Sequence, residues 1–120
     1  MAALGISQGG TGQVTVLGAR AALGFYSTAP ATKTANFTVE VTDDFFICNK
    51  AGTTVVTLPS AALYTGRVLT FKSVQDAVSS VSSNVVLLAG GAAQTDILAG
   101  SGNWAILVSD GTNWITMVSN

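Results

Sequence analysis

Alternation is clearest between Thr34 and Val41, where Ala35, Phe37, Val39 and Val41 are separated by Asn36, Thr38 and Glu40. A period of two points successive side chains to opposite sides, so one row meets a core and the other meets water. The stretch therefore predicts a half-buried strand. Thr42-Asp43-Asp44 predicts a turn, and the unbroken apolar run Phe45 to Cys48 predicts a second strand. Asn49-Lys50-Ala51-Gly52 turns the chain into a third strand over 53–58, ended by Pro59, which has no N–H to give a ladder. One helical turn is expected over 60–64. From 67 to 74 alternation resumes, with Leu69 and Phe71 on one side and Val68, Thr70 and Lys72 on the other. Residues 75–83 read as a Ser-rich connection, followed by strands over 84–89 and 95–98.

The strongest local signal is Asp110-Gly111 between the apolar runs 104–109 and 112–118. Both residues tolerate positive φ, so the pair predicts a hairpin with a two-residue type I′ turn. That turn sets Leu107 opposite Trp114, Ile106 opposite Ile115 and Trp104 opposite Met117. One face of the hairpin then carries Trp104, Ile106, Val108, Ile115 and Met117, and the other carries Ala105, Leu107 and Trp114. Both faces are apolar. A thin domain covers one of them with its own core, which leaves the second for another chain or a ligand.

The first 29 residues differ in character, holding six of the thirteen glycines within the first 24 positions. Residues 14–23, with Ala19, Ala21 and Ala22 as good helix formers, Thr15 as an N-cap and Gly24 as a C-cap, predict a short helix that needs a surface to lie on. The stretch 27–32, which includes Pro30, reads as a linker. The expected organisation is an arm over 1–29 and a mainly β domain over 30–120, built as a compact antiparallel β-sandwich or β-roll.

Composition adds one constraint. Charged residues are 9% of the 120 positions, with a net charge of −1, against roughly 25% in an ordinary soluble domain. A neutral exterior of this kind favours self-association and gives no basic footprint for nucleic acid. Histidine is absent, which removes imidazole catalysis and His-ligated metals. The single cysteine, Cys48, sits in an apolar run and reads as a buried small hydrophobe. Gly9-Gly10-Thr11-Gly12 lacks the Gly-Lys-Ser/Thr ending of a phosphate loop, and the six acids are scattered without calcium-loop spacing or a facing pair. No cofactor, metal, catalytic residue or membrane-inserted segment is expected. Trp104, Trp114 and Tyr64 are candidates for stacking on a sugar, with core or interface packing the favoured reading.

Two stretches carry a resemblance. Leu4-Gly5-Ile6-Ser7-Gln8-Gly9-Gly10-Thr11-Gly12, followed by Gly18-Ala19-Arg20-Ala21-Ala22-Leu23-Gly24, resembles the Ile-Ser-x-Gly-Gly-Thr-Gly … Ala-Arg-x-x-Leu-Gly motif of bacteriophage tail fibres and related virion fibres. More loosely, Thr57-Leu58-Pro59, Gly66-Arg67-Val68 and Asp110-Gly111-Thr112-Asn113-Trp114 are similar to small β-domains near the ends of such fibres. The resemblance implies an intertwined homotrimer in the virion, as a tail, head or collar fibre that contacts other virion proteins and a host surface glycan or receptor. In such a trimer Gly9, Gly10 and Gly12 would let backbones approach closely near the axis, and Leu17, Leu23, Leu107 and Trp114 would lie between chains. A carbohydrate-binding module is the alternative.

Overall fold

The computed structural model describes residues 29–120, which form ten strands and a single 3-10 turn. The strands are β1 (Ala31–Lys33), β2 (Phe37–Thr38), β3 (Phe45–Cys48), β4 (Thr54–Thr57), β5 (Val68–Ser73), β6 (Val78–Ser80), β7 (Val85–Val86), β8 (Asp96–Leu98), β9 (Trp104–Ser109) and β10 (Trp114–Ser119); the 3-10 turn is Ala61–Leu63. They build a six-stranded sheet in the order β1-β3-β5-β9-β10-β7 and a four-stranded sheet in the order β2-β4-β6-β8. The domain is mainly β, as expected. The candidate helix over 14–23, with Leu17 and Leu23, and the glycines Gly9, Gly10 and Gly12 lie outside the described residues.

Up to β6 the chain alternates between the sheets, odd strands in one and even strands in the other. Each return to a sheet therefore runs in the same direction as the strand before it. Four pairings are parallel as a result, β1 with β3, β3 with β5, β2 with β4 and β4 with β6, and β7 with β10 is a fifth parallel pair outside this winding. This corrects the antiparallel arrangement expected from sequence, which holds only for β5 with β9, β9 with β10 and β6 with β8. A parallel pair needs a long crossover, usually a helix. Here the crossover is a strand of the opposite layer, and the result is a short two-sided winding closed by a hairpin.

Parallel register decides the core. Ala31, Phe46, Phe71 and Ala105 sit opposite one another on four neighbouring strands. The Phe46 and Phe71 rings are 4.9 Å apart and inclined by 20°, a separation close to the ~4.8 Å strand spacing, so the ladder itself stacks them. Phe37 comes from the other sheet to meet Phe46 at 5.0 Å. Leu69 and Leu107 form the next buried row with Thr116. Facing them, Val56, Val78 and Leu98 point inward from the four-stranded sheet.

Three local expectations are corrected. The alternation around Ala35 yields only the two-residue β2, and both Ala35 and Val41 are exposed. At this corner between sheets the Val55 N–H donates to Asn36 Oδ1 at 2.9 Å, a side chain standing in for a ladder carbonyl. The stretch 27–32, read as a linker, overlaps β1, and 75–83, read as a connection, contains β6. In β6 the inward Ser80 hid the strand from a hydrophobic pattern; its hydroxyl is satisfied by Asn84 Oδ1 at 2.6 Å.

The hairpin register also differs. Trp114 lies opposite Ser109, Ile115 opposite Val108 and Thr116 opposite Leu107, with a bulge before Val118. The loop is thus four residues, Asp110 to Asn113. Asp110 Oδ1 accepts from the N–H groups of Thr112 and Asn113, both at 2.8 Å, closing an Asx turn in place of the two-residue turn. The slip is by two, an even number, so Ala105, Leu107 and Trp114 still share one face.

Removing one stacked ring tests the ladder. Phe71→Ala is expected to lower unfolding free energy by about 3–5 kcal/mol, whereas Leu63→Ala, at a side chain 79% exposed, is expected to change it by less than about 0.5 kcal/mol. Urea titrations of the two variants at equal concentration check this.

Candidate functional site

Side chains that do not face the core of the six-stranded sheet form three rows across it. Val68, Val108, Ile115 and Val86 are aligned on β5, β9, β10 and β7. Phe45, Thr70, Ile106 and Val118 make the next row. Thr32, Ile47, Lys72 and Trp104 make the third. Phe45 is 43% exposed, Val68 46% and Met117, at the bulge, 54%. Lys72 is the one charged side chain in these rows, and its ammonium donates to the Gly102 carbonyl.

The outer face of the four-stranded sheet is different in kind. Thr38 lies beside Thr57, and Val55 beside Ser79 and Asp96, all pointing away from the core. The molecule therefore has one hydrocarbon face and one hydroxyl-rich face. Strands of two to six residues, at ~3.3 Å per residue and ~4.8 Å apart, give the hydrocarbon face a footprint on the order of 400 Å², within the range of the largest patches that solitary proteins expose.

The aromatic candidates separate. Trp114 is 0% exposed and donates its indole N–H to the Pro59 carbonyl at 3.0 Å; Leu107 is equally buried. Both belong to the core, which corrects their placement on a surface offered to a sugar or a second chain. Trp104 is half-buried on the hydrocarbon face. Tyr64 is also half-buried, and the Arg67 guanidinium lies 4.9 Å from its ring centroid. The Gly66 N–H donates to the Ser109 carbonyl, so Tyr64 sits near the end of β9 opposite Trp104, roughly 17 Å along the strand. The three rings make no common platform.

Arg67 holds the turn before β3. Its guanidinium donates to the carbonyls of Glu40 at 2.6 Å and Asp43 at 2.7 Å. Burial lowers its pKa, opposed by Tyr64, Asp43 and Asp44. Within the turn, the Glu40 N–H donates to Asp43 Oδ2. These are structural contacts. Among the described residues no group of His, Cys, Asp and Glu is placed to hold a metal, and no helix is long and apolar enough to cross a membrane.

Sequence reasoning identified Trp104, Ile106, Val108 and Ile115 as one apolar side of the hairpin. It missed the extension through Val68 to Phe45, because the adjacency of β3, β5 and β9 is a long-range pairing without a local signal. Compared with family models, curated proteins and solved structures, the chain matches none.

Two titrations follow. Burial pushes the Cys48 thiol from 9.0 up to about 11, against the pull of Lys33. The neutral thiol is expected to resist a disulfide reagent at pH 8 in the folded protein and to react fully in denaturant. Asp110 is held below its usual 3.8 by the N–H groups of Asn113 and Thr112. A lowered folded pKa means stability that is present above 3.8 and lost as pH falls through the folded value. Asp110→Asn keeps an oxygen for the turn, so it is expected to flatten that part of the acid limb in thermal melts from pH 5 to 2.5.

Proposed function

We propose that the chain is a structural, non-enzymatic segment of a virion fibre that works as a homotrimer and contributes to host attachment. The observation that carries this reading is the hydrocarbon outer face of the six-stranded sheet on a chain with 9% charged residues. Residues 29–120 alone leave that face in water. Removing an apolar face of this size from water on each of two chains takes away on the order of 800 Å², a gross gain of roughly 20 kcal/mol, which exceeds the ~4–15 kcal/mol cost of association. The sequence motif over residues 4–24 supplies the class, the virion location and the number three. The arm and the β domain are the two units of that reading.

Carbohydrate stacking is the weaker reading. Trp114 is enclosed and Tyr64 carries a guanidinium on its ring, so it rests on Trp104.

Light scattering after gel filtration tests the proposal. Three chains of 12.1 kDa give a mass of about 36 kDa, and this mass is expected at micromolar concentration. A 12.1 kDa species persisting up to the highest soluble concentration would remove the trimer.

A further inference from the structure

We infer that the outer face of the six-stranded sheet, centred on Ile106 and Val108, is the contact between copies, and that the hydroxyl face of the four-stranded sheet points outward to water. This rests on the self-association just proposed and adds the surface that performs it.

The occupant is a second copy of the same chain for three reasons. Firstly, the face offers little polar instruction: of its twelve aligned positions only Thr32, Thr70 and Lys72 are polar. Its only charge, Lys72, is already engaged with the Gly102 carbonyl, so a partner recognised by ion pairs or by a hydrogen-bond pattern has little to read. A complementary surface must itself be apolar and uncharged, and this chain carries such a surface. Secondly, like charge does not oppose the contact. Net charge is −1 per chain, and all six acids, Glu40, Asp43, Asp44, Asp76, Asp96 and Asp110, lie in loops or on the other sheet, where they cost the contact little. Thirdly, the size allows it. A footprint on the order of 400 Å² per copy gives about 800 Å² for two, at the small end of protein–protein interfaces.

The hydroxyl face cannot do the same work. Thr57, Ser79 and Asp96 would each give up water, and burying such groups without partners costs roughly 1–3 kcal/mol apiece.

Two variants and one spectroscopic reading test the inference on the full chain. Ile106→Lys and Val68→Lys each place an ammonium on the hydrocarbon face, at a half-buried central site and at a more exposed one. Ser79→Lys places it on the hydroxyl face. Circular dichroism keeps score of folding. The expected result is that a folded Ile106→Lys or Val68→Lys falls to the monomer mass at concentrations where wild type and Ser79→Lys remain assembled.

Acrylamide quenching gives a measure that does not depend on a variant folding. Trp114 is enclosed by its own chain, so changes on dilution report Trp104, and dilution through the dissociation range is expected to raise quenching at least twofold. Assembly that survives both lysines on the hydrocarbon face, or that Ser79→Lys abolishes instead, overturns the inference and leaves the homo-oligomer standing. A monomeric wild type overturns both. A monomer in which Trp104 is already shielded assigns the face to the chain's own first 28 residues and likewise ends the inference.

Discussion

A two-layer protein covers one face of each sheet, and what it does with the other face is set by the residues that alternation sends outward. In this chain the in-register ladders turn that alternation into rows. Because β1, β3 and β5 run parallel and β9 is in register with β5, each outward or inward position is repeated on its neighbours. Phenylalanines stack on one side, while valine and isoleucine line up on the other. The same constraint gives the four-stranded sheet an outer lining of threonine and serine. The contrast between the two exteriors comes from which residue types occupy equivalent positions in a regular winding.

Scarcity of charge shapes the polar chemistry as well. All four basic side chains among the described residues are engaged with their own chain. Lys50 donates to the carbonyls of Ala51 and Thr53, Lys72 to Gly102 and Arg67 to Glu40 and Asp43. Lys33 lies 5.0 Å over the Phe37 ring. The buried Ser109 hydroxyl closes a loop in the same way, donating to the Ala61 carbonyl at 2.7 Å and accepting from the Gly111 N–H. Lys50, Arg67 and Lys72 act here as hydrogen-bond donors that fasten loops, while Asp43 and Asp110 accept within theirs.

Legibility in the sequence followed distance along the chain. The strands β3, β4, β5 and β9 were readable because their alternation or apolar runs are local, and so was the single helical turn after Pro59. The faces of β5 and of the hairpin were also readable, since an even slip leaves parity untouched. Strand direction was not. One-sided burial in a parallel winding gives the same alternation as an antiparallel meander, and only the sheet order distinguishes them. β6 was hidden by serine at a buried position, and β2 was overestimated because Asn36 ends the ladder with its side chain. The apolar face was half visible, as the outer side of the hairpin, and its completion through Val68 and Phe45 depended on pairing between residues some forty positions apart.

The order β1-β3-β5-β9-β10-β7 also bears on biogenesis. During synthesis the amino-terminal coils emerge early and find their parallel neighbours among residues already made. β7, by contrast, has no companion in its sheet until β10 leaves the ribosome, and β5 keeps a free edge until β9 arrives. Completion of the larger layer therefore waits until residues 104–119 have been made. A chain halted before Trp104 would lack the middle of that layer, with its margins left apart.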